Sequence, residues 1–155
     1  MNPLSIEIKR INTNQAKELS DLLLKSSKEY SQHFIPFEFD LNSVNAAMSK
    51  AKKDMFYGVY VENKIIGFYM LRGWDAGYDV PSYGVWIAEN FSSKGISKLT
   101  LNHAISFCRI NSIKRLMLKV HPDNLVAKKI YENFGFVYEG IDERIGHLIY
   151  FKDIK

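Results

Sequence analysis

Apolar and polar residues alternate across residues 5–10, with Ile6 and Ile8 set against Glu7 and Lys9, which is the period of a half-buried strand. From residue 14 to about residue 29 the period lengthens: Ala16, Leu19, Leu22, Leu23 and Leu24 make one buried stripe, and Asn14 is placed to cap the helix they define. An aromatic stretch, residues 30–39, is broken by Pro36, after which Val44, Ala47, Met48 and Ala51 recur at helical spacing. Met55–Val61 and Lys64–Arg72 are rich in Val, Ile, Tyr and Phe and are separated only by Glu62-Asn63, which predicts an antiparallel hairpin. Residues 73–81 read as a loop and 82–88 as a strand. Residues 95–109 read as a helix apolar around most of its circumference, so it must pack on a sheet. Arg115–Val120 reads as a strand and residues 125–134 as a helix. Residues 136–144 and 147–152 close the chain as strands joined around Ile145-Gly146.

This order predicts an α/β (α+β) sandwich: a mixed sheet of about seven strands flanked by about four helices. The unit from strand 82–88 through helix 95–109 to strand 115–120 should place those two strands side by side and parallel, with a right-handed crossover. A length of 155 residues predicts one domain, 1–155. The longest apolar run, residues 65–71, is too short to cross a bilayer, and the polar start lacks the apolar core of a secretion signal. A lone Cys108 rules out an internal disulfide and fits a reducing compartment, so a soluble cytoplasmic protein is expected.

The net charge of +4 is unevenly placed. Within residues 90–131, Lys94, Lys98, Arg109, Lys114, Arg115, Lys119, Lys128 and Lys129 face Asp123 alone, a field that would draw a polyanion. Inside that segment, Phe91-Ser92-Ser93-Lys94-Gly95-Ile96-Ser97 sets small residues around a lysine at a predicted helix start. There, unpaired N–H groups and the positive end of the helix dipole converge on an anion. Neither a P-loop nor a dinucleotide fingerprint is present.

Downstream, Asn124, Ala127, Tyr131, Gly135 and Phe136 stand in the spacing N-x-x-A-x-x-x-Y-x-x-x-G-F. This resembles the signature of the GNAT superfamily of acyl-CoA-dependent N-acyltransferases. Residues 87–97 resemble the coenzyme A loop of that family, V-x-P-x-x-[RQ]-G-x-G-x-[GA]. Departures are Glu89 for the common Pro, Ser92 for Arg or Gln, and Ser97 for the last Gly or Ala. The backbone N–H groups survive these changes, and Lys94 can supply the lost positive charge.

The resemblance implies acetyl-CoA as co-substrate and assigns roles by position. Ile87 would offer backbone groups to the pantetheine arm and the acetyl carbonyl, and Ser92, Ser93, Lys94, Gly95, Ile96 and Ser97 would hold the pyrophosphate. Asn124 would bond the pantetheine or fix the neighbouring loop, with Ala127 in the same motif. Tyr131 would lie near the sulfur as the general acid, its phenol remaining protonated at neutral pH. A family carboxylate in the strand before the loop has no counterpart in Pro81-Ser82-Tyr83-Gly84. Asp79, Tyr83 or a held water are the candidates for the base, and Asp75 is a candidate for attracting a cationic substrate. His33, His103, His121 and His147 lack metal-ligand spacing, so no metal is expected; His103 reads as a packing residue and His121 as lying near the cofactor.

The acceptor is expected between loops 31–39 and 73–81, whose aromatic residues suit stacking on a ring. A small-molecule amine is the first expectation, with an amino-sugar nucleotide favoured. A peptide or protein amine comes second, and a non-catalytic acyl-CoA-binding module is the rival class. Nucleic acid and membrane partners are not expected; a homodimer is permitted by the strand edges.

Overall fold

A computed structural model describes residues 2–34 and 36–155. Strands β1 (Ile6–Ile11), β2 (Met55–Val61), β3 (Lys64–Arg72), β4 (Ser82–Ile87), β5 (Arg115–Val120), β6 (Val137–Asp142) and β7 (His147–Asp153) form one sheet in the order β1-β2-β3-β4-β5-β7-β6. Every neighbouring pair is antiparallel except β4 and β5, which are parallel as the β-α-β reading requires.

Helices α1 (Ala16–Leu24), α2 (Lys28–Ser31) and α3 (Leu41–Ser49) precede β2. Helices α4 (Ile96–Ile110) and α5 (Leu125–Asn133) flank β5. The sheet separates two cores. Leu19 and Leu23 of α1 and Val44 and Met48 of α3 pack with Phe56, Phe68, Met70 and Trp86 on one face. Leu101, Ala104, Ile105 and Cys108 of α4 pack with Tyr69, Leu71, Leu116 and Leu118 on the other. Strand β3 feeds both: Phe68 and Met70 point one way, Tyr69 and Leu71 the other, so its sequence is apolar without alternation.

The N-terminal helix is shorter than its periodicity predicts. Ser26 donates its hydroxyl to the Leu23 carbonyl at 2.7 Å, and Ser27 caps a new turn by accepting the Tyr30 N–H at 3.1 Å. Side-chain oxygens offering alternative partners to the backbone end α1 at Leu24 and start α2 separately, giving five helices among the described residues rather than four. Its start also differs: Asn12, not Asn14, is the cap, in a reciprocal box with Gln15 that opens a single 3-10 turn. Leu24, expected in the buried stripe, is exposed.

The loop 73–81 is fastened to the one before β2. The Asp75 carboxylate accepts the N–H groups of Lys52, Lys53 and Asp54 at 2.9, 2.9 and 3.1 Å. Asp54 in turn accepts from Gly73 and Asp75. These backbone bonds hold the Asp75 carboxyl below its ordinary pKa. Asp75 thus clamps this loop to the residues before β2.

Candidate active site

β4 and β5 pair only at Ser82 with Met117 and Tyr83 with Leu118. Beyond those two pairs the strands diverge, while β4 stays in register with β3 up to Ile87 opposite Gly67. The Ala88 N–H donates to the Ile66 carbonyl at 2.8 Å. Because N–H and C=O groups alternate sides along an antiparallel ladder, Ile87 and Val85 turn theirs away from β3 and into the gap. A wedge lined by backbone donors therefore opens where Ile87 is expected to meet a thioester. The Ile87 carbonyl already has a partner that sequence reasoning missed: the Tyr30 hydroxyl donates to it. Burial, and next the nearby Glu89 carboxylate, raise the Tyr30 phenol above its ordinary pKa.

The wedge leads to the start of α4. Ile87 and Ile96 share a buried cluster with Val59 and Ile66, which ties the end of β4 to the first turn of α4. Gly95 takes the cap position at φ 81° without a side-chain cap, and Leu99 is the first residue to bond back, to the Gly95 carbonyl at 3.1 Å. The N–H groups of Ile96, Ser97 and Lys98 therefore point out of the helix start, and its first turn holds no acidic residue. A Cβ built on Gly95 meets nothing within 4 Å, so the space beside it is open. Ser93, Lys94 and Gly95 are exposed around this spot. This geometry fits a pyrophosphate.

Ser93 departs from the coenzyme A loop in a way not anticipated. It stands where the pattern has its first glycine and adopts φ 61°, the left-handed region that glycine occupies without a Cβ penalty. Matching the pattern position by position would have found it. Ser93→Gly should therefore stabilise the fold by about 0.5–1 kcal/mol, read as a higher denaturant midpoint at unchanged slope.

On α5 the motif explains itself locally. The Asn124 side chain accepts the Ala127 N–H at 3.2 Å, so of its two expected roles the structure displays the loop-fixing one. Gly135, at φ 90°, ends the helix, and the Phe136 N–H returns to the Tyr131 carbonyl at 3.0 Å. Phe136 is buried against the Tyr131 ring, with centroids 6.0 Å apart. Ala127 and Tyr131 pack on the core beneath the β4–β5 divergence. Burial pushes the Tyr131 phenol up to about 12.

The candidate bases fare differently. Tyr83 is buried, with its hydroxyl 2.9 Å from Thr100 Oγ1. Burial, then the neighbouring Tyr131 phenol, hold it well above its ordinary pKa, which removes it as a base. Asp79 is exposed in its loop. His103 bonds Tyr69 through Nδ1 and is a packing residue, as expected. The remaining histidines, far apart in sequence, come together: His33 stacks on His121 with centroids 3.7 Å apart, and His121 meets His147 edge-on at 5.4 Å.

The aromatics of loop 31–39 turn inward: Phe34 and Phe37 pack on Phe68, and Phe37 also on Phe56, in the core beneath α1 and α3. Ile35 of the same loop lies outside the described residues. The basic segment is also partly neutralised: Arg115 pairs with Glu139 and Asp153, and Lys119 with Asp142 at 2.8 Å. Lys94 and Lys98 stay exposed at the α4 start. No helix among the described residues is long and apolar enough to cross a membrane.

The acetyltransferase (GNAT) family model matches residues 17–136. Spermine/spermidine N(1)-acetyltransferase of Bacillus subtilis is 26% identical, the match covering 97% of this chain and 100% of that protein. PaiA N-acetyltransferase from Thermoplasma acidophilum, solved with coenzyme A, superposes with a TM-score of 0.76 at 20% identity, covering 96% of this chain and 99% of that one. The ribosomal L7/L12 α-N-protein acetyltransferase RimL superposes with a TM-score of 0.80 at 18% identity, covering 98% and 93%.

Proposed function

Because the chain belongs to the acetyltransferase (GNAT) family, we propose that it transfers the acetyl group of acetyl-CoA to the primary amine of a small molecule. The observation that carries this reading is the divergence of β4 and β5 beside an uncapped helix start. The inward N–H groups of Val85 and Ile87 polarise the thioester carbonyl and hold the oxyanion that forms as the amine attacks. The N–H groups of Ile96 and Ser97, with Lys94 nearby, hold the pyrophosphate.

Tyr131 donates its proton to the departing sulfur. A phenol pushed up to about 12 is a weaker acid than usual. It therefore stays protonated at neutral pH and holds the proton that the departing thiolate needs.

The acceptor to try first is a flexible polyamine. The Bacillus subtilis relative is named for spermine and spermidine and matches over nearly the whole chain. The Phe34 and Phe37 rings that suggested stacking on an amino-sugar nucleotide are spent on the core. The test has two stages. Acetyl-CoA at about 100 times its dissociation constant should add roughly 2.7 kcal/mol, or about 5–10 °C in thermal midpoint. Thiol release is then followed with spermidine, an amino-sugar nucleotide and an N-terminal peptide. Midpoint shift without turnover of any amine would favour a binding module, and no shift would remove the cofactor site.

A further inference from the structure

We propose that His33 is the general base of the transfer: it touches the acceptor ammonium and takes its proton, with His121 and His147 behind it as positioning residues. The inference rests on the amine-acetylation reading and supplies the base that β4 lacks.

Helix α2 and the residue pair after it straddle the mouth of the wedge. Tyr30 bonds the Ile87 carbonyl at the end of β4, and the Trp86 indole N–H donates to Ser31 Oγ at 3.1 Å. His33 reaches across to stack on His121, which follows the end of β5. The segment thus spans from the end of β4 to the end of β5 and carries an imidazole between them.

The three rings divide the work. His121 Nδ1 accepts the Asp123 N–H at 3.1 Å, which engages that ring nitrogen and leaves Nε2 as the other. His147 is buried, and burial, followed by His121 and His33 beside it, lowers its pKa. His33 is half-buried and partly open to solvent, so it can take a proton and release it. The charged groups facing the array are Lys119 and Asp142 beside His147, Arg144 on the Asp142 carboxylate, and Asp123 with Oδ2 3.8 Å from His121 Nδ1. On the β4 side Glu89 lies near Tyr30. Asp142, whose charge opposes the lowering at His147, is itself held by Lys119 and Arg144.

The balance closes. A ring nitrogen of His33 takes one proton from the ammonium, and the freed nitrogen pair forms the C–N bond. The C–S bond breaks with its electron pair on sulfur, which takes the Tyr131 proton. The second proton on nitrogen restores that phenol, and the His33 proton passes to solvent, giving amide, thiol and one released proton.

The test compares wild type with His33→Asn, using spermidine as probe amine, and records kcat/KM against pH together with acetyl-CoA binding. Wild type should rise with pH through an inflection as the base loses its proton. His33→Asn should lose that inflection and about 10²-fold or more of the plateau rate while binding acetyl-CoA unchanged. A retained inflection with a plateau within about threefold would overturn the proposal. Should spermidine not be acetylated, the ¹⁵N signals of the wild-type histidines decide: acetyl-CoA should shift those of the His33 ring, and unmoved signals would overturn the assignment.

Discussion

Tyr131→Phe should lower kcat by about 10²- to 10³-fold while leaving the dissociation constant of acetyl-CoA within a few-fold. The substitution keeps the ring that packs on Phe136 at a 6.0 Å centroid separation and removes only the hydroxyl. Loss of packing is thereby separated from loss of a proton donor. The wild-type phenol, pushed up to about 12 by burial, stays protonated throughout the working range. An acid acts while protonated, so its falling limb should lie near or above pH 12, and the wild-type rate should not decline between about pH 8 and 10 on account of this group. Single-turnover measurement of thiol release, against acetyl-CoA binding by calorimetry, checks both halves. An unchanged single-turnover rate in Tyr131→Phe would leave the phenol with a packing role only.

Gly67→Ala should damage the cofactor site from the far side of the strand. A Cβ there would lie 2.7 Å from the Trp86 carbonyl oxygen and 3.0 Å from the Ile87 Cα, both backbone atoms that cannot swing away. Strand β4 would have to shift just where Val85 and Ile87 turn their N–H groups into the wedge. We expect a cost of roughly 1–3 kcal/mol in stability from overpacking, measured by denaturant unfolding. We also expect an acetyl-CoA dissociation constant raised about tenfold or more, since one misplaced donor bond of about 1.4 kcal/mol has that effect. Gly84→Ala, on β4 itself, is the control, because its Cβ meets only the terminal methyl of Met70, at 3.0 Å. It should cost less stability and spare binding. Loss of stability without loss of affinity in Gly67→Ala would detach the Ile87 backbone from the thioester.

Features set by residues close together in the chain were legible in the sequence. The Asn124 to Phe136 motif could be read because each part has a local cause: Asn124 caps a helix, Gly135 takes the left-handed turn that ends it, and Phe136 buries itself against Tyr131. The hairpin of β2 and β3 and the parallel β4 and β5 follow from period and connection length in the same way. Even the local reading failed where side chains compete with the backbone, as Ser26 and Ser27 do in ending α1.

Only tertiary structure decided the rest, because it depends on strands and loops that are distant in sequence. That β4 and β5 keep only two pairs before they part is settled between strands that the whole of α4 separates in the chain. Spacing could not bring His33, His121 and His147 together; the fold crosses their segments at the mouth of the wedge. Composition could count the charge of the basic segment, yet pairing with Glu139, Asp142 and Asp153 decided where that charge is spent. The aromatic loop shows the same division. Its residues reveal their hydrophobicity in one dimension, but whether a ring meets a ligand or Phe68 depends on which face of the sheet lies beneath it.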